Sequence, residues 1–208
     1  MEGNSYFNTR FSFDRRRDSL WKVVCAYLQK YISQDSKVLD IGAGYCSFIN
    51  NITASEKHAL DCSADLMGNA AKGVICHQGS FELLNKISGS YFDVIFISNL
   101  FEHLSDSETD YLITQIKRIL KKESGRLIIL QPNFRYSYKV YFDDFTHTRI
   151  FTHISMVDFL EANSFKVVKL FKKFLPFSMK SAVPKFPFLV KLYLLLPFKP
   201  FAGQMLII

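Results

Sequence analysis

Two histidines and an aspartate are the side chains best suited to moving a proton. His103 closes the run Ser98-Asn99-Leu100-Phe101-Glu102-His103, and Asp144 and His147 stand three apart in Tyr141-Phe142-Asp143-Asp144-Phe145-Thr146-His147-Thr148-Arg149. Imidazole titrates near neutrality, so His103 or His147 can take a proton from a hydroxyl. Asp144 and His147 have the spacing of a carboxylate–imidazole pair. Plainer roles stay open: a histidine at a helix start that only bonds backbone, or a solvated histidine in a surface loop. His153 opens a helix and reads as structural. Metal ligation is open to these groups, but their spacing does not demand it.

A second constellation handles a ligand. Val38-Leu39-Asp40-Ile41-Gly42-Ala43-Gly44-Tyr45-Cys46-Ser47-Phe48 is a short apolar strand that runs through Asp40 into two glycines. That order describes a buried strand ending in a tight loop whose backbone a ligand can approach closely. Asp61 ends the next strand, 17 residues beyond Gly44. In open α/β sheets an acid roughly 20 residues past such a loop receives a ribose diol. Asn99 follows the fourth strand, and the carboxyl end of a central strand is where these sheets bind ligands.

Strands and helices alternate around these residues. Leu20, Trp21, Val24, Tyr27, Leu28, Tyr31 and Ile32 recur at helical spacing across 18–33, with Asp18 or Ser19 as the cap. Strands are expected over 37–41, 58–61, 74–77, 92–98, 126–131, 165–174 and 204–208. Helices are expected over 47–53, 66–72, 108–122 and 155–162, the last two ended by Ser124-Gly125 and by Asn163. This alternation predicts an α/β fold, a doubly wound, Rossmann-like sheet of about seven strands with helices on both faces.

The 208 residues read as one domain, with an N-terminal arm and helix over 1–33. The arm sets Tyr6, Phe7, Phe11 and Phe13 among Arg10, Arg15, Arg16 and Arg17, and is either a solvated lead-in or a cover for the site. Residues 176–201 break the alternation with five prolines among apolar and aromatic residues, and read as a hydrophobic, basic insertion before the last strand. Lys and Arg number 26 against 19 Asp and Glu. Eight of those cations follow Glu161, the last acid, which leaves 18 against 19 before it. The positive balance therefore belongs to the C-terminal part alone, unlike the basic footprint of a nucleic-acid binder. Cys25, Cys46, Cys62 and Cys76 lack zinc spacing and read as reduced thiols of a cytoplasmic protein. The polar N-terminus does not read as a secretory signal, and no run of about 18 apolar residues reads as a spanning helix.

The 38–48 loop, Asp61, the 98–104 run, the segment Leu127-Ile128-Ile129-Leu130-Gln131-Pro132-Asn133 and the 143–149 loop follow in one order. In that order the chain resembles the class I S-adenosylmethionine-dependent methyltransferases. It is most similar to the bacterial type found with polysaccharide and lipid-linked glycan pathways. The resemblance implies S-adenosyl-L-methionine as cofactor and an antiparallel C-terminal strand. Asp40 then faces the ammonium of the cofactor, Gly42 and Gly44 admit its amino-acid end, and Asp61 takes the ribose. Ser80, Phe81 and Asn99 border the remainder. Such enzymes often carry an acid where Ser80 stands and a third glycine where Cys46 stands, and this chain departs at both places. Phe81 can equally be ordinary core.

The implied reaction is direct displacement, in which an acceptor oxygen takes the methyl group in line and the sulfonium leaves as a neutral thioether. Positioning supplies much of the acceleration. His147 or His103, with Asp144, removes the hydroxyl proton, and no metal is required. The acceptor is a small-molecule or glycan hydroxyl. Lysines among the apolar runs of 176–201 suit an anionic membrane surface, at roughly 1 kcal/mol for each Lys. A homodimer interface and a lid over the substrate are the rival readings.

Three alternatives are weaker. A nicotinamide oxidoreductase needs glycine or alanine at Ser47. A non-catalytic cofactor-binding module keeps the loop without acceptor chemistry. A nucleic-acid methyltransferase lacks its Asn-Pro-Pro-Tyr type of motif where this chain has Ser98-Asn99-Leu100-Phe101.

Overall fold

The computed structural model describes residues 15–63, 68–176 and 187–208. Among the described residues, seven strands form one sheet: β1 (Lys37–Ile41), β2 (Glu56–Asp61), β3 (Val74–Gln78), β4 (Val94–Ser98), β5 (Arg126–Pro132), β6 (Leu170–Phe171) and β7 (Gln204–Ile207). Their order is β3-β2-β1-β4-β5-β7-β6. The first five run parallel, and β7 is antiparallel to β5 and β6. The helices are α1 (Arg15–Leu28), α2 (Asp106–Ile119), α3 (Phe134–Ser137), α4 (His153–Ala162) and α5 (Pro187–Leu195). This is the expected Rossmann-like architecture.

The central strands are apolar on both sides because both sides are covered. On one face Leu39, Ile41, Ile95 and Ile97 pack against Leu112, Ile113 and Ile116 of α2 and Met156 and Leu160 of α4. On the other, Val38, Val94 and Phe96 meet Val24, Cys25 and Leu28 of α1. Phe48 stacks on Phe96 at 3.7 Å between ring centroids, and Trp21 meets the same ring edge-on at 6.1 Å. Fully burying each such side chain contributes about 1.5–3 kcal/mol. Capping boxes start two helices: Ser105 with Glu108 at α2, and Thr152 with Ser155 at α4.

Four expected elements differ. Residues 47–53 form successive turns rather than a helix. Gly44 and Cys46 hold φ values of +51° and +57°, and Asn51 Nδ2 donates to the Ser47 carbonyl, so side chain and backbone compete with helical bonding. The helix expected to end at 122 ends at Ile119, because Leu120 turns extended and bridges to Phe92. The strand expected over 165–174 shrinks to β6. The Val168 and Lys169 amides both donate to the Ile208 carbonyl, two residues facing one as in a bulge, and the ladder is interrupted. Asp18 does not start α1, which is already helical at Arg15; its carboxylate accepts from Asn51 Nδ2 at 2.9 Å and so ties α1 to the turns after β1.

Residues 1–14 of the aromatic, Arg-rich arm, 66–67 of the helix expected over 66–72, and 177–186 of the insertion lie outside the described residues; of that helix 68–69 are helical and 70–72 are not. The rest of the insertion is α5 and the turn after it. Leu194 of α5 joins the core on the α1 side. Phe188, Leu195, Phe198 and Phe201 stand in solvent.

Candidate active site

The chain steps outward from β1 to β3 and then returns to β4 on the opposite side of β1. The loops leaving β1 and β4 therefore part at one edge, the crevice where open α/β sheets hold ligands. Gly42 lies at this point with φ +72°, and a Cβ there would stand 3.3 Å from Leu100 of the β4 loop. Glycine is favoured by both the positive φ and the close approach. Asn99 also adopts positive φ, and its Oδ1 accepts from Gln204 Nε2 of β7 at 2.9 Å. The structure thus brings Gly42, Gly44 and Asn99 to one edge, as the sequence requires.

Asp61 does more than wait for a ligand. Its Oδ2 accepts the Gly44 amide at 2.7 Å and its Oδ1 accepts the Ser63 amide at 2.8 Å. One carboxylate therefore fixes the glycine loop and the loop after β2. An ionised carboxylate offers about four lone-pair positions, so acceptor capacity remains for a diol. Asp40 lies beneath the same loop, fully buried, and accepts from the Ile49 amide. Its carboxyl is pushed well above its ordinary range, first by burial and then by the charge of Asp61. A cationic group at the loop would relieve that repulsion. Cys46 is buried, its thiol pushed up to about 12 by burial and then by Asp40, and it serves as a small core residue. Ser80 caps the turn Phe81–Lys86 through the Glu82 amide. Ser80 and Phe81 line an open cleft of about 260 Å³ with Tyr111 of α2, and Phe81 also packs on the core.

The proton-handling residues assemble beside this edge. The turn Phe101–His103 follows β4, and the carbonyl of Glu102 accepts both the Thr148 and Arg149 amides. Loop 141–149 is thereby folded back so that His147 and His103 meet, ring centroids 4.8 Å apart. Asp144 reaches His103 through Thr146: the Thr146 hydroxyl donates to Asp144 Oδ1 at 2.6 Å and accepts from His103 Nδ1 at 2.9 Å. His147 Nδ1 donates to the Tyr141 carbonyl at 2.7 Å, and the Tyr141 ring lies 4.5 Å from its own. These contacts place a proton on Nδ1 of each ring. His103 is held below its usual range by burial and then by His147. Burial opposes ionisation of Asp144, but the Thr146 hydroxyl and amide, then both histidines, hold it low.

Sequence reasoning named His103, Asp144 and His147 but passed over Glu102 and Thr146. Glu102 is 1% exposed, and among the described residues neither carboxylate oxygen has a hydrogen-bond partner. Burial pushes its carboxyl up to about 8, opposed in part by its own backbone amide and reinforced by the charge of Asp144. The only signal for it was an acid directly before a histidine after a central strand. His153 is structural as expected: it is buried, bonded to Asn133 and stacked on Tyr136.

A parallel sheet with a reversed C-terminal strand, a glycine loop and an acid closing β2 together define a Rossmann-like nucleoside-binding enzyme. Residues 13–168 match the family described as "Methyltransferase domain", and the chain belongs to it. It is an S-adenosylmethionine-dependent methyltransferase of class I, and the nicotinamide reading is set aside. Among solved structures the chain is similar to an S-adenosylmethionine-dependent methyltransferase from Archaeoglobus fulgidus (20% identity, 98% of this chain and 96% of that one, TM-score 0.66). It is also similar to one from Mesorhizobium loti (12% identity, 89% and 96%, TM-score 0.62) and to DhpI in complex with SAH (16% identity, 77% and 80%, TM-score 0.55). No curated protein matches the chain. Asp40, Asp61 and the left-handed glycine loop fit the cofactor: one cation, one diol and one close backbone approach.

Proposed function

We propose that the chain methylates a hydroxyl oxygen of a small molecule or glycan. The observation that carries this reading is the cluster of His103, His147 and Asp144 beside the Asn99 loop, where two basic imidazoles and a carboxylate face one region of the carboxyl edge. Bound S-adenosylmethionine supplies a methyl group on a sulfonium, which becomes a neutral thioether once the acceptor oxygen takes the methyl. The chain's own residues do the rest. Gly42 and Gly44 give the cofactor's amino-acid end close access to backbone, Asp40 balances its ammonium, and Asp61 takes its ribose. Ser80, Phe81 and Asn99 border the nucleoside. The histidine cluster holds the acceptor hydroxyl and assists loss of its proton.

A lipid-linked glycan acceptor at the inner membrane face is supported by the C-terminal part. Phe198 and Phe201 are 84% and 87% exposed beside Lys199, and Lys191 stands on α5, a pairing of apolar and basic groups suited to an anionic surface. Among the described residues no helix is long and apolar enough to cross a membrane. A homodimer contact is the competing use of the same face. Transfer of labelled methyl from S-adenosylmethionine to cell-envelope glycan precursors, run beside a panel of small hydroxylated acceptors, tests the reading. Incorporation that is lost in His103→Gln and His147→Gln supports it, and incorporation only into amines or thiols overturns it.

A further inference from the structure

Resting on the methyltransferase reading, we propose that Glu102, His103 and His147 bind one divalent transition-metal cation, and that this cation carries the acceptor's hydroxyl oxygen. One carboxylate oxygen and one nitrogen of each ring all lie within 4.8 Å of one another. Three atoms so spaced share a point no more than about 2.8 Å from each, against about 2.1 Å for a formed metal bond. Small side-chain shifts therefore close the site.

Glu102 is the reason to expect an ion there. A carboxyl at 1% exposure that no other described residue supplies with a donor is an expensive use of a position that leucine could fill. A cation supplies the missing partner. The histidines are already set up as ligands. Metal-binding imidazoles give their other ring N–H to a carbonyl or to a carboxylate-linked group, which fixes the ring and raises its basicity. His147 Nδ1 is held by the Tyr141 carbonyl, and His103 Nδ1 by Thr146, which Asp144 anchors in turn. The backbone of Glu102 also pins loop 141–149 at Thr148 and Arg149, so the third ligand is built into the site.

The donor set selects the ion. Two imidazoles and one carboxylate suit Zn²⁺, Co²⁺, Fe²⁺ or Mn²⁺ rather than the all-oxygen shells of Mg²⁺ and Ca²⁺. Three protein ligands leave positions open for water and an acceptor oxygen. A hydroxyl bound to such an ion loses its proton to water far more readily than a free one, which leaves an oxygen nucleophile beside the cofactor edge. The lone pairs of both imidazoles are then committed to the ion, so His103 and His147 act as ligands instead of as the base.

The test is a Co²⁺ titration of the chelator-treated full chain, followed by visible d–d absorption and by calorimetry. S-adenosylhomocysteine affinity is measured in parallel. The expected result is one Co²⁺ per chain, displaced by Zn²⁺, with affinity reduced more than about tenfold in Glu102→Gln and in His147→Gln. S-adenosylhomocysteine affinity stays unchanged in both variants, which also reports that they fold. Wild-type protein that binds S-adenosylhomocysteine but takes up no Co²⁺ overturns the cation site. So does a Glu102→Gln variant that binds Co²⁺ as tightly as wild type, since the ion would then sit elsewhere, such as at His58 and His77, whose ring nitrogens lie 2.8 Å apart. Wild-type protein that fails to bind S-adenosylhomocysteine overturns the methyltransferase reading instead, whatever Co²⁺ does.

Discussion

Replacing Asp61 by alanine separates two jobs that the sequence alone merges into one. The residue reads as a ribose acceptor, yet its carboxylate is also bonded to the Gly44 and Ser63 amides at 2.7 and 2.8 Å. A hydrogen bond to a charged group contributes about 1.5–3 kcal/mol. Losing two would cost about 3–6 kcal/mol, and we take the lower end, about 3 kcal/mol, because water admitted to the space the side chain leaves replaces part of the bonding. For a chain of this size that corresponds to a melting temperature lower by about 6–12 °C. Loss of the diol acceptor weakens S-adenosylhomocysteine by a further 1–3 kcal/mol, a factor of about 5 to 150. Asp61→Asn keeps one acceptor oxygen and should fall between the two proteins on both axes. Thermal unfolding by circular dichroism gives the first quantity and calorimetry the second. An alanine variant that melts with the parent while losing cofactor would refute the claim that this carboxylate holds the glycine loop. Unchanged affinity would mean that the ribose is held elsewhere.

Other outcomes follow from the same reasoning. Glu56 accepts from Tyr91 and His58 and pairs with Lys37, contacts that, in that order of importance, depress its carboxyl to about 2 against some burial cost. Its unfolded value is near 4.5, so its contribution to stability is present above that pH and fades as pH falls toward 2; denaturant midpoints across this window should be flatter for Glu56→Gln. Phe96→Ala removes a ring that is fully buried, stacked by Phe48 and met edge-on by Trp21, and should cost about 3–5 kcal/mol in denaturant unfolding. Phe198→Ser with Phe201→Ser should reduce sedimentation with anionic vesicles and leave the melting temperature within a few degrees. Equal sedimentation of variant and parent would count against a membrane role for this surface.

The sequence disclosed most where local chemistry decides the outcome. Gly42 and Gly44 were readable because positive φ and close approach leave few residue choices, and β4 because a buried parallel strand is a continuous apolar run, Val94-Ile95-Phe96-Ile97. The turns at 47–53 were not, since Cys46 takes positive φ without being glycine and Asn51 bonds its own backbone. The shortness of β6 was hidden for another reason: its limit is set by the Ile208 carbonyl, 39 residues beyond Lys169, which accepts two amides. In the site, His103 and His147 stood out by residue type, but the link through Thr146 and the isolation of Glu102 exist only once loop 141–149 folds onto the turn after β4. An acid beside a histidine gives no sign in the sequence that it will be buried without a donor from any other described residue.

The central claim is that the carboxyl edge of this sheet holds S-adenosylmethionine between Asp40, the glycine loop and Asp61. Calorimetric titration of the purified full-length chain with S-adenosylhomocysteine tests it most directly. The account predicts saturable binding of one molecule per chain, weakened in Asp61→Ala and indifferent to NADH. Absence of any saturable heat with S-adenosylhomocysteine and S-adenosylmethionine alike, from protein that melts cooperatively, would contradict it.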